Sequence, residues 1–204
     1  MSVALFSTAY LPPVAYVAAL MRYDEVLVEH KETYPKQTYR NRAVILTAGG
    51  TRSLAVPVVR HNHSRTDEVT IDYRSRWNTV HRRTLAAAYA ASPYWLYLHD
   101  ELDTLLDTRY DRLVDLNQAV TGWLLRKLKV PCRLSPTTGY QPGGTAPDDC
   151  RNRFSPKVPL PAEGFPPYCQ VFADRHPFVH NLSALDLLMN LGPDATGYLK
   201  TVRL

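Results

Sequence analysis

The sequence predicts an α/β fold, a single domain whose mixed, partly parallel sheet is flanked by helices. Three observations carry that expectation. Two apolar runs, Val3 to Thr8 and Glu25 to Glu29, are separated by a helix-length segment. A strand, helix and strand within about 30 residues form a βαβ unit with parallel pairing. A further pair of apolar arms surrounds Gly49-Gly50. From Trp77 onward the apolar period changes from two to the helical 3.6.

Each element has its own local reason. Pro12-Pro13 suits the first turn of a helix that runs to Met21. Ala43-Val44-Ile45-Leu46 and Leu54-Ala55-Val56-Pro57-Val58 read as a β-hairpin, with glycine supplying the positive φ of its turn. Pro57 ends the second arm or places it at an edge. The alternation in Val69 to Tyr73 predicts another strand.

Val80, Thr84 and Ala88 then share a face of a helix from Trp77 to Ser92, and Leu98, Leu102, Leu105 and Leu106 mark a second. Leu113, Leu116, Val120, Trp123, Leu124 and Leu128 mark a third, with Lys127 and Lys129 at the end favoured by its dipole. Residues 131–167 hold nine of the chain's 16 prolines, so an irregular crossing is expected there, either a functional lid or a surface loop. Tyr168 to Phe172 reads as a returning strand. A last helix begins at Ser183, with Asp186 placed to complete a capping box and Leu182 and Leu187 a hydrophobic staple, and ends at Gly192-Pro193.

Composition narrows the function. The 204 residues include 45% hydrophobic and 21% charged side chains, enough to bury a core. Lysines and arginines number 24 against 19 acids, a net charge of +5: anionic partners fit, but this is no polybasic tail. The apolar start lacks preceding basic residues and meets Pro12-Pro13, so neither a signal peptide nor a membrane span is expected. Cys132, Cys150 and Cys169 are odd in number and form no C-x-x-C pair, as free thiols in a reducing cytoplasm would.

The densest chemistry lies in Lys36-Gln37-Thr38-Tyr39-Arg40-Asn41-Arg42. Guanidinium forks bind carboxylate or phosphate in bidentate fashion, and an amide orients hydroxyls. In this reading Lys36, Arg40 and Arg42 hold an anionic donor, Asn41 and Tyr10 orient it, and Arg40→Ala abolishes binding at little cost in stability. The competing reading is a solvated strand entrance with one arginine paired to an acid.

Thr8, Tyr10 and Tyr16 sit where α/β sheets bind ligands, beyond a strand's carboxyl end, although Tyr16 equally suits the core. Asp149, Arg151 and Lys157 in the proline-rich crossing are further ligand candidates if that segment closes as a lid. An unperturbed histidine titrates near neutrality, which makes His81 a candidate proton acceptor; Asp186 is another, although capping explains Asp186 without catalysis. Arg74, Arg76, Trp77, His81, Arg82 and Arg83 interleave basic and aromatic groups as a nucleic-acid clamp would; more often such arginines are solvated. His61-x-His63 and His176-x-x-x-His180 have zinc-like spacing, but Pro177 spoils the second pair and no cysteine joins, so no metal is expected. No phosphate-binding glycine loop, hydrolase elbow or kinase signature occurs, and no cofactor is expected.

Tyr10-Leu11-Pro12, Ala15-Tyr16, Asp24-Glu25-Val26, Lys36, Arg40-Asn41-Arg42, Val56-Pro57-Val58 and the run from Asn181 to Pro193 together resemble the WbqC-like family over nearly the whole chain. Many members read glutamine-proline-asparagine where this chain has Ser7-Thr8-Ala9, and glycine where it has Ala15. The resemblance implies a setting among genes for O-antigen and other surface polysaccharides, with glycine transfer suggested for one member. It marks Asn181 as a further ligand candidate. The expectation is a cytoplasmic transferase that takes an anionic activated donor, a nucleotide sugar or aminoacyl group, and a saccharide acceptor. Alternatives are a non-catalytic assembly protein of the same pathway and a nucleic-acid-binding module. The donor, the acceptor and the oligomeric state are not legible.

Overall fold

Strand β1 (Val3–Ser7) leads through Pro12-Pro13 into helix α1 (Val14–Leu20), and β2 (Glu25–Glu29) returns parallel to β1, with Val3 opposite Glu25 and Ser7 opposite Glu29. The computed structural model describes residues 2–144, 146 and 148–204; Pro147, counted in the proline-rich tract, lies outside them. All seven residues of α1 are buried, so the crossover packs fully instead of riding at the surface.

The hairpin forms as expected, with β3 (Arg42–Thr47) antiparallel to β4 (Gly50–Ala55) and Gly50 at φ +100° in the turn. The second arm stops before Pro57, which can donate no ladder hydrogen bond. β5 (Val58–Val59) then pairs with β6 (Thr70–Ile71), so the longer strand expected over residues 69–73 shrinks to two residues. Parallel and antiparallel pairings fall in separate sheets.

Helices α2 (Trp77–Tyr89), α3 (Trp95–Asp107) and α4 (Leu113–Lys127) occupy the predicted middle. Leu113, Leu116, Val120, Trp123 and Leu124 of α4 are buried as the spacing demands. The buried stripe of α2 differs from expectation. Trp77, His81, Thr84, Leu85 and Ala88 face inward, whereas Val80 is 51% exposed. The aromatic pair Trp77–His81, with ring centroids 5.1 Å apart, seats the helix on Tyr10 and turns Val80 outward.

The proline-rich crossing is mostly irregular but contributes one strand that sequence patterning missed. β7 (Arg133–Pro136) lies parallel to β2 as the third strand, in the order β1-β2-β7. It is four residues long and carries its proline at the last position of an edge strand, where a missing N–H is tolerated. Further on, the same crossing is fastened to the opposite edge: the Leu5 N–H donates to the Asp148 carbonyl at 2.9 Å and the Cys150 N–H to the Leu5 carbonyl at 2.8 Å. It therefore extends the sheet instead of hanging over it.

Tyr168 to Phe172 forms no strand. The side-chain amide of Gln170 substitutes for strand pairing: its Oε1 accepts from the Val179 N–H at 3.0 Å and its Nε2 donates to the Val179 carbonyl at 2.9 Å. Helix α5 (Ala184–Leu191) follows, with Ser183 capping the Leu185 N–H, and α6 (Ala195–Thr201) ends the fold. Asp186 does not complete a capping box. Its carboxylate turns into the core, because Tyr168 and Gln170 offer it hydrogen bonds at 2.6 and 3.2 Å. One continuous hydrophobic cluster joins α1, the sheet, α4 and α5.

Candidate functional site

The three parallel strands end on a common narrow cleft with about 30 Å³ of free volume. Thr8 and Ala9 follow β1, His30 follows β2, and Ser135 and Pro136 finish β7; α1 adds Tyr16, and α4 adds Asn117, Gln118 and Thr121. Carboxyl ends of parallel strands are where α/β folds collect ligands, because loops there diverge and leave a crevice.

Asn117 gives the cleft its chemical character. It is 1% exposed; its Nδ2 donates to Thr8 Oγ1 at 3.1 Å and to the Arg40 carbonyl at 2.7 Å, while its Oδ1 has no hydrogen-bond partner. A buried acceptor without a donor costs about 1–3 kcal/mol, so the cleft favours an occupant that brings an O–H or N–H. Thr121, one turn along α4, donates to the Ala9 carbonyl at 3.1 Å and holds the turn after β1 in place. On the far wall, burial pushes the His30 imidazole below its ordinary value, against opposing charges from Asp67, Asp115 and Glu29. The ring is therefore neutral near pH 7 and able to accept a proton.

Beneath the cleft lies a compensated set of charges. Glu29 is fully buried; its carboxylate accepts from the Lys31 N–H at 2.8 Å, the Gln141 N–H at 2.9 Å and the Thr137 hydroxyl at 2.8 Å, with Arg151 Nη1 at 3.5 Å. Arg151 also grips Asp149 and the Gln141 carbonyl. Arg40 is 4% exposed and donates through Nε and Nη2 to Glu32 Oε1 at 3.0 and 2.6 Å. Burial raises the Glu32 carboxyl and Arg40 opposes that rise.

The sequence-expected ligand groups separate accordingly. Thr8 and Tyr16 line the cleft; the buried Tyr16 hydroxyl donates to the Ser7 carbonyl at 2.8 Å, and burial pushes its pKa up. Arg40 and Arg151 are committed to acids, and Asn41 is closed onto Val56 by two hydrogen bonds, its side chain donating at 2.9 Å and its carbonyl accepting at 2.8 Å. Lys36 and Lys157 are solvent-exposed. Asp149 serves Arg151. Asn181 caps α1 from a distance, its Oδ1 accepting from the Ala15 N–H at 2.9 Å, because Pro13 cannot cap its own helix. Arg42 Nε is buried without a partner; burial raises the pKa of the neighbouring Tyr34 hydroxyl, and Arg40, Arg60 and Arg42 oppose that rise.

The two proton-transfer candidates lie outside the cleft. Asp186 is 1% exposed, burial raises its carboxyl, and Tyr168, Gln170 and the neighbouring Tyr89 crowd it; its role is to organise the C-terminal core. His81 is 4% exposed, with Nδ1 2.9 Å from the Tyr10 hydroxyl and the Ala55 carbonyl facing the ring. Burial raises the Tyr10 pKa, so that hydroxyl stays protonated and donates.

Burial lowers the His81 pKa to about 4, with Arg52 adding to the effect. The unfolded chain takes up the His81 proton near pH 6.5, earlier than the folded one. Stability is therefore full above pH 6.5 and is lost as pH falls toward 4, by about 3 kcal/mol over that window. Urea unfolding at pH 7 and pH 4.5 is expected to show most of this loss, and His81→Gln is expected to flatten it. Parallel pH dependences in the two proteins would refute the assignment.

Several site residues escaped the sequence reading. Asn117 and Thr121 could have been found as two polar groups at i, i+4 interrupting the apolar face of α4. His30 and Arg60 could not, since only the fold brings them beside their neighbours. Among the described residues no group of three or more His, Cys, Asp or Glu could hold a metal ion, and no helix is long and apolar enough to cross a membrane.

Comparison with known proteins bears on this geometry. The chain is similar to the uncharacterized protein Rv1507c of Mycobacterium tuberculosis (strain ATCC 25618 / H37Rv), 26% identical over 231 aligned positions that cover 98% of each protein. No solved structure matches it. Residues 8–150, more than half of the chain, match the WbqC-like protein family. The matched stretch contains every residue that lines the cleft, Thr8, Tyr16, His30 and Asn117 among them, and the chain belongs to the WbqC-like protein family.

Proposed function

We propose that this chain is a transferase that seats a hydroxyl- or amine-bearing acceptor in the cleft and an anionic activated donor against Arg42. The carrying observation is Asn117 Oδ1, a buried acceptor without a donor at the carboxyl edge of a parallel sheet. An acceptor O–H or N–H that satisfies Asn117 stands in the same narrow cleft as His30. His30 then removes the acceptor's proton as its oxygen or nitrogen attacks the electrophilic carbon of the donor, and the donor's anionic portion departs. Arg42 and Arg60, which act on Tyr34, supply the positive field for that anion; Arg40 adds to the field there although its hydrogen bonds go to Glu32.

The family resemblance supports a setting in surface-polysaccharide assembly, with a nucleotide sugar or aminoacyl group as donor, a saccharide as acceptor, and the cytoplasm as location. A nucleic-acid clamp at residues 74–83 is disfavoured because Arg74 is bound to Asp72 and Arg82 to Asp103 and Asp107.

The test is a thermal-shift screen of nucleotide sugars and aminoacyl donors followed by donor-depletion kinetics, since a ligand that binds the folded state raises its melting temperature. His30 has no side-chain hydrogen bond among the described residues, so His30→Gln is expected to unfold normally. It should lower turnover by about 10²–10⁴-fold, the usual contribution of a general base. Arg42→Gln is expected to weaken donor binding by roughly tenfold or more, as loss of a charge-assisted hydrogen bond does. Binding without turnover would identify a non-catalytic binder instead, and a screen with no shift at all would remove the reading.

A further inference from the structure

A second concave surface lies between β4 and the start of α2, a groove with about 610 Å³ of free space, its open side included. It shares no lining residue with the cleft at the strand ends. Its walls carry Arg52, Ser53, Ser75, Arg76 and Trp77, and no aspartate or glutamate.

Its chemistry is that of donors without acceptors. Trp77 is 4% exposed, yet its indole N–H, which can only donate, has no partner. Arg52 and Arg76 are exposed and make no ion pair among the described residues, so their guanidinium groups are available to a ligand. α2 opens at this point on Arg76, with no side chain capping its first amides. Those amides carry the positive end of a 13-residue helix. His81 also borders the groove, but Tyr10 and the Ala55 carbonyl take up its ring.

A buried orphan donor, two unpaired guanidinium groups and an uncapped helix start all call for the same complement. We infer that this groove is an oxyanion site that holds one phosphoryl group of a small phosphorylated molecule. The indole N–H and the guanidinium forks donate to its oxygens, and the exposed side chain of Val80 bounds the remainder of the ligand. The site does not depend on the transferase reading and would stand if that reading failed.

The probe is inorganic phosphate, titrated at constant ionic strength while the three indole N–H signals are followed by NMR. The Trp77 signal is expected to move downfield and saturate at millimolar phosphate, in the range of a few kcal/mol of binding. The Trp123 signal serves as control, because its N–H already donates to Glu101 at 2.9 Å. Arg52→Gln with Arg76→Gln is expected to weaken phosphate roughly tenfold or more. These exposed positions leave the core intact, so the test survives even if Trp77→Phe fails to fold. An unmoved Trp77 signal, or the same shift with chloride in place of phosphate, would overturn the inference. So would a single-stranded oligonucleotide that displaces phosphate at micromolar concentration, which would make the groove part of a nucleic-acid surface.

Discussion

Arg40→Ala is expected to cost about 3–5 kcal/mol of folding stability, the usual consequence of removing one member of a buried ion pair. Sequence alone pointed the other way, to lost ligand binding at little cost in stability. The difference is burial. Arg40 is 4% exposed and both of its donating nitrogens converge on Glu32 Oε1, so truncation strands a carboxylate that water cannot reach well. The melting temperature should fall by about 6–20 °C, taking 2–4 °C per kcal/mol for a chain of this size. Arg40→Met combined with Glu32→Gln should recover much of the loss, because no charge is then left unpaired. Urea unfolding of the two single variants and the double variant provides the check. An Arg40→Ala protein as stable as the parent but unable to bind a donor would return Arg40 to the ligand site.

Gly192→Ala is expected to be comparably severe, about 2–6 kcal/mol, because two effects add. The residue ends α5 at φ +52° and ψ −121°, a conformation that glycine alone adopts freely, and forcing a side chain into it costs about 1–3 kcal/mol. A Cβ there would also lie 2.3 Å from the Tyr94 ring, and overpacking of that kind costs a further 1–3 kcal/mol. The Tyr94 N–H donates to the Met189 carbonyl at 3.2 Å and ties its backbone to the end of α5, so relief requires the half-buried ring to rotate away. Adding Tyr94→Ala to Gly192→Ala should relieve the collision but leave the backbone strain. If Gly192→Ala alone melted like the parent protein, the close approach of Tyr94 would be refuted.

Much of the architecture was legible because it rests on local periodicity. The β1–α1–β2 unit, the hairpin and the three middle helices each advertise themselves within a dozen or so residues, as strand alternation and helical stripes do. The missed and mistaken elements are those in which a partner overrides the local pattern. β7 is a strand because β2 offers it an open edge, despite its proline. Residues 168–172 have a strand's composition, but Gln170 satisfies the Val179 backbone with a side chain instead. Val80 belongs to a periodic stripe, yet the seat of Trp77 and His81 on Tyr10 turns it outward.

Sequence by itself determined that this chain is an α/β member of the WbqC-like protein family and that cations gather near residue 40. It also marked Thr8 and Tyr16 as lying where strands end. Only the tertiary structure decided which charges are spent and which remain available. Glu32 is eight residues from Arg40 and Asn117 is 109 from Thr8, and no local pattern says that the first pair neutralises itself while the second leaves an acceptor unanswered. Periodicity reports which face of an element is buried, whereas hydrogen-bond and ion-pair partners are set by where the chain crosses itself, through contacts too distant in sequence to leave a repeating trace.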